Sequence, residues 1–311
     1  MSKPTSKKKA HPPARQLALP ATSANLGPAF DAAALAMDLY ITIDARPAPD
    51  FAIRAAGRDA AICRTLENHL ILTTYIEILQ NHRVEPIPLA LRINNDIPIG
   101  KGCGSSAAAR LAGIALANHF GRLRWTDSQI IGEASRREHH PDNASACWMG
   151  GLSIARMSGP AEAQVVSIKP KGKWPLLLAL PDQILSTKEA RRALPEQYSR
   201  ADAVVNIQNS MLLLATFMQG RHELLASALE DRIHQPYRAP LCPLLPCLQE
   251  LTGQPGVLGA ALSGAGPSVV VFLDPQISAQ KTKKLVASHI SRKGFHAELL
   301  QTSITPHGGR G

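Results

Sequence analysis

Residues 94–118 read NNDIPIGKGCGSSAAARLAGIALAN, and this stretch decides how the chain is interpreted. Three glycines in five residues, Gly100, Gly102 and Gly104, stand directly before an alanine-rich run with apolar residues at helical spacing. Glycines at such a place either make a simple turn or form a cradle for an anion. The second reading has a physical basis, because a helix N-terminus carries unpaired N–H groups and a partial positive charge of about half an elementary unit.

The glycine loop matches neither of the two common nucleotide motifs. It lacks the GK[ST] ending of a Walker loop, and Lys101 comes too early to act as the Walker lysine. The segment GKGCGSS also lacks a glycine at the spacing of the dinucleotide motif GxGxxG. The hydroxyl groups of Ser105 and Ser106 can bind phosphate or a magnesium ion. A phosphate site is therefore a hypothesis that the rest of the chain has to support.

The composition is that of a globular protein with an excess of positive charge. The 311 residues are 45% hydrophobic and 19% charged, with a formal net charge of +10. Five of the positive charges lie in residues 1–15, which we expect to be a disordered basic tail without a secretory signal. A non-catalytic nucleic-acid-binding protein is one hypothesis for this charge. Only 4% of residues are aromatic and no basic stretch alternates with stacking rings, so an anionic substrate explains the charge equally well.

The sequence indicates neither a membrane span nor an oxidising compartment. No apolar run reaches the roughly 20 residues that are needed to cross a bilayer. The five cysteines show no CxxC pairing and their number is odd. We therefore expect reduced thiols in a cytoplasmic protein, without disulfides or a cysteine-bound metal.

The predicted elements mix strands and helices without regular alternation, which favours the α+β class. Thr126 and Gln129 are spaced as a capping box at the start of a helix. The other predicted helices cover residues 69–82, 105–121, 199–219, 222–233 and 278–294. We predict a tail over 1–15, an N-terminal domain over 16–165 and a C-terminal domain over 166–311.

Several segments together resemble the GHMP small-molecule kinases. IPIGKGCGSSAAARLAG is similar to the phosphate loop PxxxGLGSSAA of that family. Further segments resemble the homoserine kinases within it, namely PATSANLGPAFD at 20–31, HPDNASACWMGGL at 140–152, LSTKEARRALPEQYSR at 185–200, DRIHQPYRAPLCP at 231–243 and LSGAGPSVVVF at 262–272. The segments occur in the family's order and span nearly the whole chain, so the match is far more specific than any single motif.

The resemblance implies a two-domain GHMP-kinase fold, with an N-terminal mixed sheet, helices and a phosphate-binding loop, and a C-terminal ferredoxin-like α/β sandwich. It implies ATP-dependent phosphorylation of the L-homoserine hydroxyl to O-phospho-L-homoserine in threonine biosynthesis, with Mg²⁺ bound, and a homodimer. Another GHMP kinase with a different alcohol acceptor stays open as the alternative. The two arginine-bearing segments favour an amino-acid acceptor, because a carboxylate suits the fork of a guanidinium group.

The resemblance also assigns roles to individual residues. Asp31, Asn143 and Arg191 are expected to carry the catalysis. The substrate would be held by Asn25, Asp31, His140, Asn143, Thr187, Arg191 and Arg238. ATP would be held by Asn68, Pro98, Ile99, Gly100, Lys101, Gly102, Cys103, Gly104, Ser105 and Ser106. The metal would be held by Ser105, Ser106 and Glu133, with Glu138 as the alternative acidic residue.

Two questions stay open at the level of sequence. Asp31 is the nearest candidate for a general base, but its charge is better used on the substrate ammonium, so we expect catalysis chiefly by alignment and electrostatic stabilisation. Ala29 and Ala34 stand where the family has glycine. If either residue has a positive φ, alanine lowers the stability by on the order of 1 kcal/mol. It would then also alter the loop after residue 24, which the resemblance places at the substrate.

Overall fold

The computed structural model describes residues 12–310. Most of the predicted tail over 1–15 lies outside this range, and Arg15 is already the first residue of a strand. In the part of the chain that is described, no helix has the length and apolar character that crossing a membrane would require.

The first half is built on a six-stranded sheet. Its strands are β1 Arg15–Ala24, β2 Ala33–Pro47, β3 Ala52–Gly57, β4 Leu89–Asn95, β5 Leu152–Gly159 and β6 Glu162–Ile168. The order is β3-β4-β2-β5-β6 with β1 paired to β2, and the sheet is mixed because β3 and β4 run parallel while the other pairs are antiparallel. Its helices are α1 Ala60–Arg64, α2 Leu70–Asn81, α3 Ser105–Gly121, α4 Asp127–Glu138 and α5 Asp142–Met149.

Helix α3 is the central helix of this half and fixes the position of the glycine loop. Ten of its 17 residues are buried, among them Leu111, Ile114 and Leu116. Its many alanines let it pack closely between α2 and β1, so its N-terminus is held rigidly at the edge of the core. Helix α4 begins with the predicted capping box, which the hydrogen bonds of Thr126 and Gln129 confirm.

The second half is built on a four-stranded antiparallel sheet. Its strands are β7 Pro175–Leu180, β8 Val257–Leu262, β9 Val269–Leu273 and β10 Glu298–Ser303, in the order β10-β7-β9-β8. Its α-helices are α6 Thr187–Arg192, α7 Arg200–Gln219, α8 Leu225–Ala228, α9 Gln235–Arg238, α10 Leu244–Gln249 and α11 Ala279–Arg292. Short 3₁₀ turns cover His222–Leu224 and Ala239–Leu241. This order is that of the predicted ferredoxin-like sandwich, and one apolar cluster runs through both halves of the chain.

Three features differ from the predictions. β6 runs across the predicted boundary at residue 165, so we propose that the halves divide between β6 and β7. The predicted helix over 222–233 is only a short turn and α8, because Asp231 accepts the N–H groups of Ile233, His234 and Gln235 and starts α9 instead. Helix α5, which follows Pro141, was not predicted.

The C-terminal segment returns to the first half. After β10, Ile304 pairs with Met37 of β2, and the N–H of Thr305 donates to the carbonyl of Ala36 over 3.0 Å. The N–H of Gly309 then donates to the carbonyl of Cys147 in α5 over 2.9 Å. The end of the chain thus completes the packing of β2 and α5.

Candidate active site

The glycine loop is shaped for close backbone contacts at the start of α3. Gly100, Gly102 and Gly104 have φ of 71°, 76° and 72°, in the left-handed region. A Cβ atom at Gly102 would lie 2.3 Å from the carbonyl oxygen of Ser263, and one at Gly104 would lie 1.9 Å from Thr22 Oγ1. Only glycine fits at these two positions. Gly104 is also the N-cap and offers no side chain, so the first N–H groups of α3 are left for an external anion.

Residues of both halves bind the loop, one in β1 and one directly after β8. The N–H of Thr22 in β1 donates to the carbonyl of Cys103 over 3.0 Å, and Ser263 Oγ donates to the carbonyl of Gly102 over 2.9 Å. The side chain of Cys103 is buried beneath the loop, and burial raises the pKa of its thiol to about 12. Cys103 is therefore an inert packing residue.

A small polar cavity of about 130 Å³ opens beside the loop. Both halves of the chain line it, and it brings together most of the predicted site residues. These are Asn25, Asp31, Gly100, Gly102, Gly104, Ser105, Ser106, His140, Asn143, Thr187, Arg191 and Arg238.

A second, larger cavity of about 570 Å³ also opens beside the loop. The two cavities share Gly100, Ser105 and Ser106. The larger one also contains the predicted residues Asn68 and Ile99, and much of its remaining wall is apolar, from Ile62, Leu70, Ile71, Ile93 and Ile97. An apolar slot next to an anion cradle suits a flat heterocycle joined to phosphates.

The structure does not bring Glu133 to the loop, which corrects its assignment as a metal ligand. Its carboxylate is held by Arg136 and Arg137 at 2.7 to 2.8 Å and lines a different cavity beside Trp125. Burial opposes the charged form of Glu133, but these two guanidinium groups outweigh it and lower its pKa. The spacing of α4 explains the error, because Glu133 lies well over one turn before the helix end that reaches the cavity.

Glu138, the last residue of α4, is the acidic residue beside the loop. Its Oε1 accepts hydrogen bonds from Ser106 Oγ over 2.7 Å and from Arg110 Nε over 2.5 Å. It lines the small cavity and its side chain is only 14% exposed. Ser106 and Glu138 therefore form a pair of oxygen donors at the helix start.

The side chain of Lys101 lines neither cavity, which corrects its assignment as a side-chain ligand of ATP and leaves only its backbone N–H in the loop. Its Nζ donates to the carbonyl oxygens of Pro181, Asp182 and Gln183 at 2.7, 2.6 and 3.0 Å. Pro98 is buried directly before the loop. Among the residues assigned to ATP, Pro98, Lys101 and Cys103 are thus absent from the walls of these two cavities.

Asp31 ends a strained loop between β1 and β2. Asn25 and Asp31 have positive φ of 72° and 54°. Asn25 Oδ1 accepts the N–H of Asp31 over 2.9 Å, and Asn25 Nδ2 donates to the carbonyl of Gly264 over 2.8 Å. Such strain persists only where the surroundings enforce it, and here it aims the carboxylate into the cavity. Ala29 and Ala34, which replace the family's glycines, do not have a positive φ. Alanine therefore causes no backbone strain at these two positions.

Arg238 is fully buried at the back of the small cavity. It is supported by His234, a contact that the sequence analysis did not predict. His234 Nε2 lies 2.8 Å from the carbonyl of Gly27 and must donate to it, so Nδ1 is free to accept from Arg238 Nη1 over 3.2 Å. Burial lowers the pKa of His234 to about 4 and keeps it neutral. Burial also lowers the pKa of Arg238, with repulsion from Arg191 as the next cause.

Both arginines of the cavity lie over the aromatic ring of Phe30. The guanidinium carbons of Arg191 and Arg238 lie 5.4 and 5.2 Å from its ring centre. Arg191 also donates to Asp31. The two arginines can therefore remain close together although their charges repel.

A hydrogen-bonded chain connects His140 to β1. His140 Nδ1 lies 2.6 Å from Asp142 Oδ1, which also accepts the N–H of Asn143 over 2.5 Å. Asn143 Oδ1 accepts from the hydroxyl of Thr22 over 2.6 Å. Burial opposes a charge on His140, but the hydrogen bond and charge of Asp142 outweigh it and raise the pKa of His140. Asp142 lies inside the quoted motif HPDN, yet nothing in the sequence showed that it is buried beneath His140.

Comparison with known proteins identifies two family models that match this chain. The model of the GHMP kinases N terminal domain matches residues 69–151, and that of the GHMP kinases C terminal matches residues 213–289. The fold and the loop thus define a small-molecule kinase of the GHMP class.

Several proteins that are similar to nearly the whole chain identify the family within this class. A homoserine kinase of Solibacter usitatus is 40% identical, over 94% of this chain and 95% of its own length. A homoserine kinase of Synechocystis sp. is 36% identical, over 85% of this chain and 88% of its own. The crystal structure of homoserine kinase from Cytophaga hutchinsonii has the same fold, with a TM-score of 0.79, 23% identity, and coverage of 99% of this chain and 98% of that one. The chain belongs to the homoserine kinase family.

Proposed function

We propose that this chain transfers the γ-phosphoryl group of ATP to the side-chain hydroxyl of L-homoserine, giving O-phospho-L-homoserine on the route to threonine. The observation that carries the proposal is the small cavity, where the N-terminus of α3 faces Asp31, Arg191 and Arg238. An anion cradle and a set of groups for a zwitterion share one space of about 130 Å³, which suits a small amino acid.

The charges of the cavity match the two ends of an amino acid. The carboxylate of Asp31 would take the substrate ammonium, and Arg191 and Arg238 would take its carboxylate. Asn25 holds Asp31 in place, and Thr187 and His140 add polar groups to the wall. With both ends held, the remaining polar group of homoserine, its hydroxyl, points toward the loop.

ATP would lie across the glycine loop. Its base would enter the larger cavity beside Asn68 and Ile99, and its terminal phosphates would lie against the N–H groups of residues 100 to 106. The cavities meet at Gly100, Ser105 and Ser106, so the terminal phosphate would reach the acceptor side. Holding the two reactants in line is the main contribution of the protein to such a transfer.

The residues beside the loop fit Mg²⁺, which is a hard cation that prefers oxygen ligands. Ser106 and Glu138 supply two adjacent oxygens, and Ser105 lies in the same wall. When bound, the ion would neutralise the charge that develops on the phosphate oxygens. Arg110 balances the charge of Glu138 in the same place.

Proton removal does not require a dedicated base in this arrangement. Against the effect of burial, Asp142 raises the pKa of His140, which favours a charged imidazole that can stabilise negative charge. Asn143 is fixed by Thr22 and Asp142 and is aimed at the cavity. In the transfer, the bond from the γ-phosphorus to ADP breaks, the bond to the homoserine oxygen forms, and the hydroxyl proton leaves to a phosphate oxygen or water.

The test is ADP release by the purified full-length chain with ATP and Mg²⁺ against L-homoserine, mevalonate and L-threonine. We expect strong turnover with L-homoserine. Turnover on mevalonate with none on L-homoserine would instead support the alternative, a GHMP kinase with another alcohol acceptor. The five cysteines are all free and buried, which supports our further proposal that the enzyme works in the reducing cytoplasm.

We also propose that two copies of the chain pair through helix α7. Val204, Ile207, Met211, Leu214 and Met218 repeat at heptad spacing, and four of them are 47%, 60%, 69% and 52% exposed, Leu214 being partly buried. No charged residue occurs between Asp202 and Arg221. Antiparallel pairing about a two-fold axis at Met211 would bury this stripe against the same stripe of the partner subunit.

The inner face of α7 supports the loop between β1 and β2, which carries Asp31. Asn206 Nδ2 and Ser210 Oγ both donate to the carbonyl of Pro28, each over 2.8 Å. Pairing of the outer faces would therefore stiffen the support behind Asp31. This assembly proposal does not depend on the identity of the acceptor.

A further inference from the structure

Lys101 makes an unusual connection between the glycine loop and the second half of the chain. Its ammonium group donates to three consecutive carbonyl oxygens, those of residues 181, 182 and 183, at 2.7, 2.6 and 3.0 Å. A lysine ammonium has three N–H donors, and all of them are used here. The side chain is thus fully engaged and is not available for a phosphate.

The three carbonyls belong to a strap, residues 181–186, that leads from β7 to α6. Leu185 of the strap and Thr187 and Arg191 of α6 line the small cavity. The strap is anchored on its other side, where Gln183 Nε2 donates to the carbonyl of Leu241 over 2.8 Å. The position of the strap therefore sets the position of Arg191.

On the loop side, Lys101 lies between Gly100 and Gly102, inside the turn proposed to hold the ATP phosphates. A second contact accompanies it, because the side chain of Ile184 lies over Gly100, 3.6 Å from where a Cβ atom would be. A movement of the loop backbone would thus move the strap as well, because these two contacts join them.

We propose that Lys101 is a positioning residue that couples the binding of ATP to the binding of the amino acid. The inference rests on the proposed function, since it takes the loop as the ATP site and the cavity as the amino-acid site. The side chain of Lys101 touches neither substrate. It fixes the strap, and with it Arg191, relative to the loop, so filling one site prepares the other.

The test compares the wild-type chain with Lys101→Met, which keeps the apolar stem and removes the three donors. Binding of a non-hydrolysable ATP analogue is measured by calorimetry with and without saturating L-homoserine. We expect L-homoserine to tighten analogue binding at least about fivefold in the wild type and by less than about twofold in the variant. We also expect the KM for L-homoserine to rise about tenfold, with analogue affinity in the absence of L-homoserine unchanged.

Two further variants separate positioning from general damage. Lys101→Arg keeps the charge but cannot aim a planar fork at all three carbonyls, so we expect an intermediate coupling. In an Arg191→Met background, Lys101→Met should raise the KM by clearly less than it does alone, because both changes act on the same contact.

Different results would overturn different claims. If Lys101→Met weakens analogue binding about tenfold and leaves the KM for L-homoserine unchanged, Lys101 is a phosphate ligand and the coupling role is wrong. Equal coupling in wild type and variant, or none in the wild type, would also refute it. A wild-type chain that does not phosphorylate L-homoserine would overturn the proposed function first, and this inference with it.

Discussion

Arg191 Nη2 of α6 donates to Asp31 Oδ1 over 2.6 Å, so the loop after β1 and the helix after the strap meet in one ion pair. Both side chains are about one-third exposed, at 33% and 31%. An ion pair with this much contact with water contributes only about 0–1 kcal/mol to stability. Its value is therefore in holding two charges of opposite sign ready for a zwitterion, rather than in holding the halves together.

Replacing Arg191 tests that role. We expect Arg191→Met to raise the KM for L-homoserine about 10- to 100-fold, because a charged hydrogen bond contributes about 1.5–3 kcal/mol, while the free energy of unfolding changes by less than about 1 kcal/mol. Steady-state kinetics and urea unfolding measure the two effects. Arg192→Met, at the exposed neighbouring position, is the matched control. Equal effects of the two substitutions would count against a substrate contact.

The metal site is tested by replacing Glu133 and Glu138 of α4 one at a time. Glu138→Gln should raise the Mg²⁺ concentration needed for half-maximal activity about tenfold or more, because it removes a charged oxygen beside Ser106. Ser106→Ala should act in the same direction. Glu133→Gln, whose partners are Arg136 and Arg137, should leave the Mg²⁺ dependence unchanged although it lowers stability. A Mg²⁺ dependence that responds to Glu133 and not to Glu138 would reverse this assignment.

The loop glycines differ in how strictly they are required. Gly104→Ala places a Cβ 1.9 Å from Thr22 Oγ1 in a left-handed backbone, and we expect a loss of about 2–4 kcal/mol together with a higher KM for ATP. Gly100→Ala has the same backbone strain, but its Cβ would meet only the Ile184 side chain at an ordinary contact distance of 3.6 Å, so a loss of about 1 kcal/mol is expected. Urea unfolding gives both values. Similar losses for the two variants would show that the close approach to Thr22 is not limiting.

His140 predicts a pH-dependent contribution to stability. Its pKa in the folded chain is raised above the ordinary value of 6.5. The stabilisation linked to its charge is complete below that ordinary value and is lost as pH rises through the folded pKa. We expect the difference in unfolding free energy between wild type and His140→Gln to be larger at about pH 5.5 than at about pH 9. A difference that stays constant, or that grows with pH, would contradict the raised pKa.

The pairing of α7 is tested by a cysteine on the expected two-fold axis. Met211→Cys should form a disulfide-linked dimer under mild oxidation, because the same residue of the partner subunit would lie opposite it. All five natural cysteines are buried, so background cross-linking is low. Val166→Cys, 61% exposed on β6, is the control and should not cross-link. Sedimentation of Met211→Glu should give a monomer, and a monomeric wild type would refute the assembly.

The glycine loop and the starts of α3 and α4 could be predicted from the sequence, because residues close together in the chain determine them. Glycines before an alanine-rich run specify the loop and α3, and Thr126 with Gln129 specifies the start of α4. The motif segments also contained nearly every residue that lines the small cavity. These features depend on residues close together in the chain.

The errors concern long-range contacts. The direction of Lys101 depends on carbonyls 80 residues away, and the choice between Glu133 and Glu138 depends on which turn of α4 reaches the loop. The support of Arg238 by the neutral His234 depends on a hydrogen bond from His234 to the carbonyl of Gly27, which is 207 residues away in the sequence. No periodicity within the sequence carries such information.

The return of residues 304–309 to β2 and α5 has a consequence for folding. The hydrogen bonds of Thr305 to Ala36 and of Gly309 to Cys147 join the first half to a segment that follows the whole second half in the sequence. The first half can therefore complete its packing only after the second half has been synthesised, so the two halves are not independent folding units.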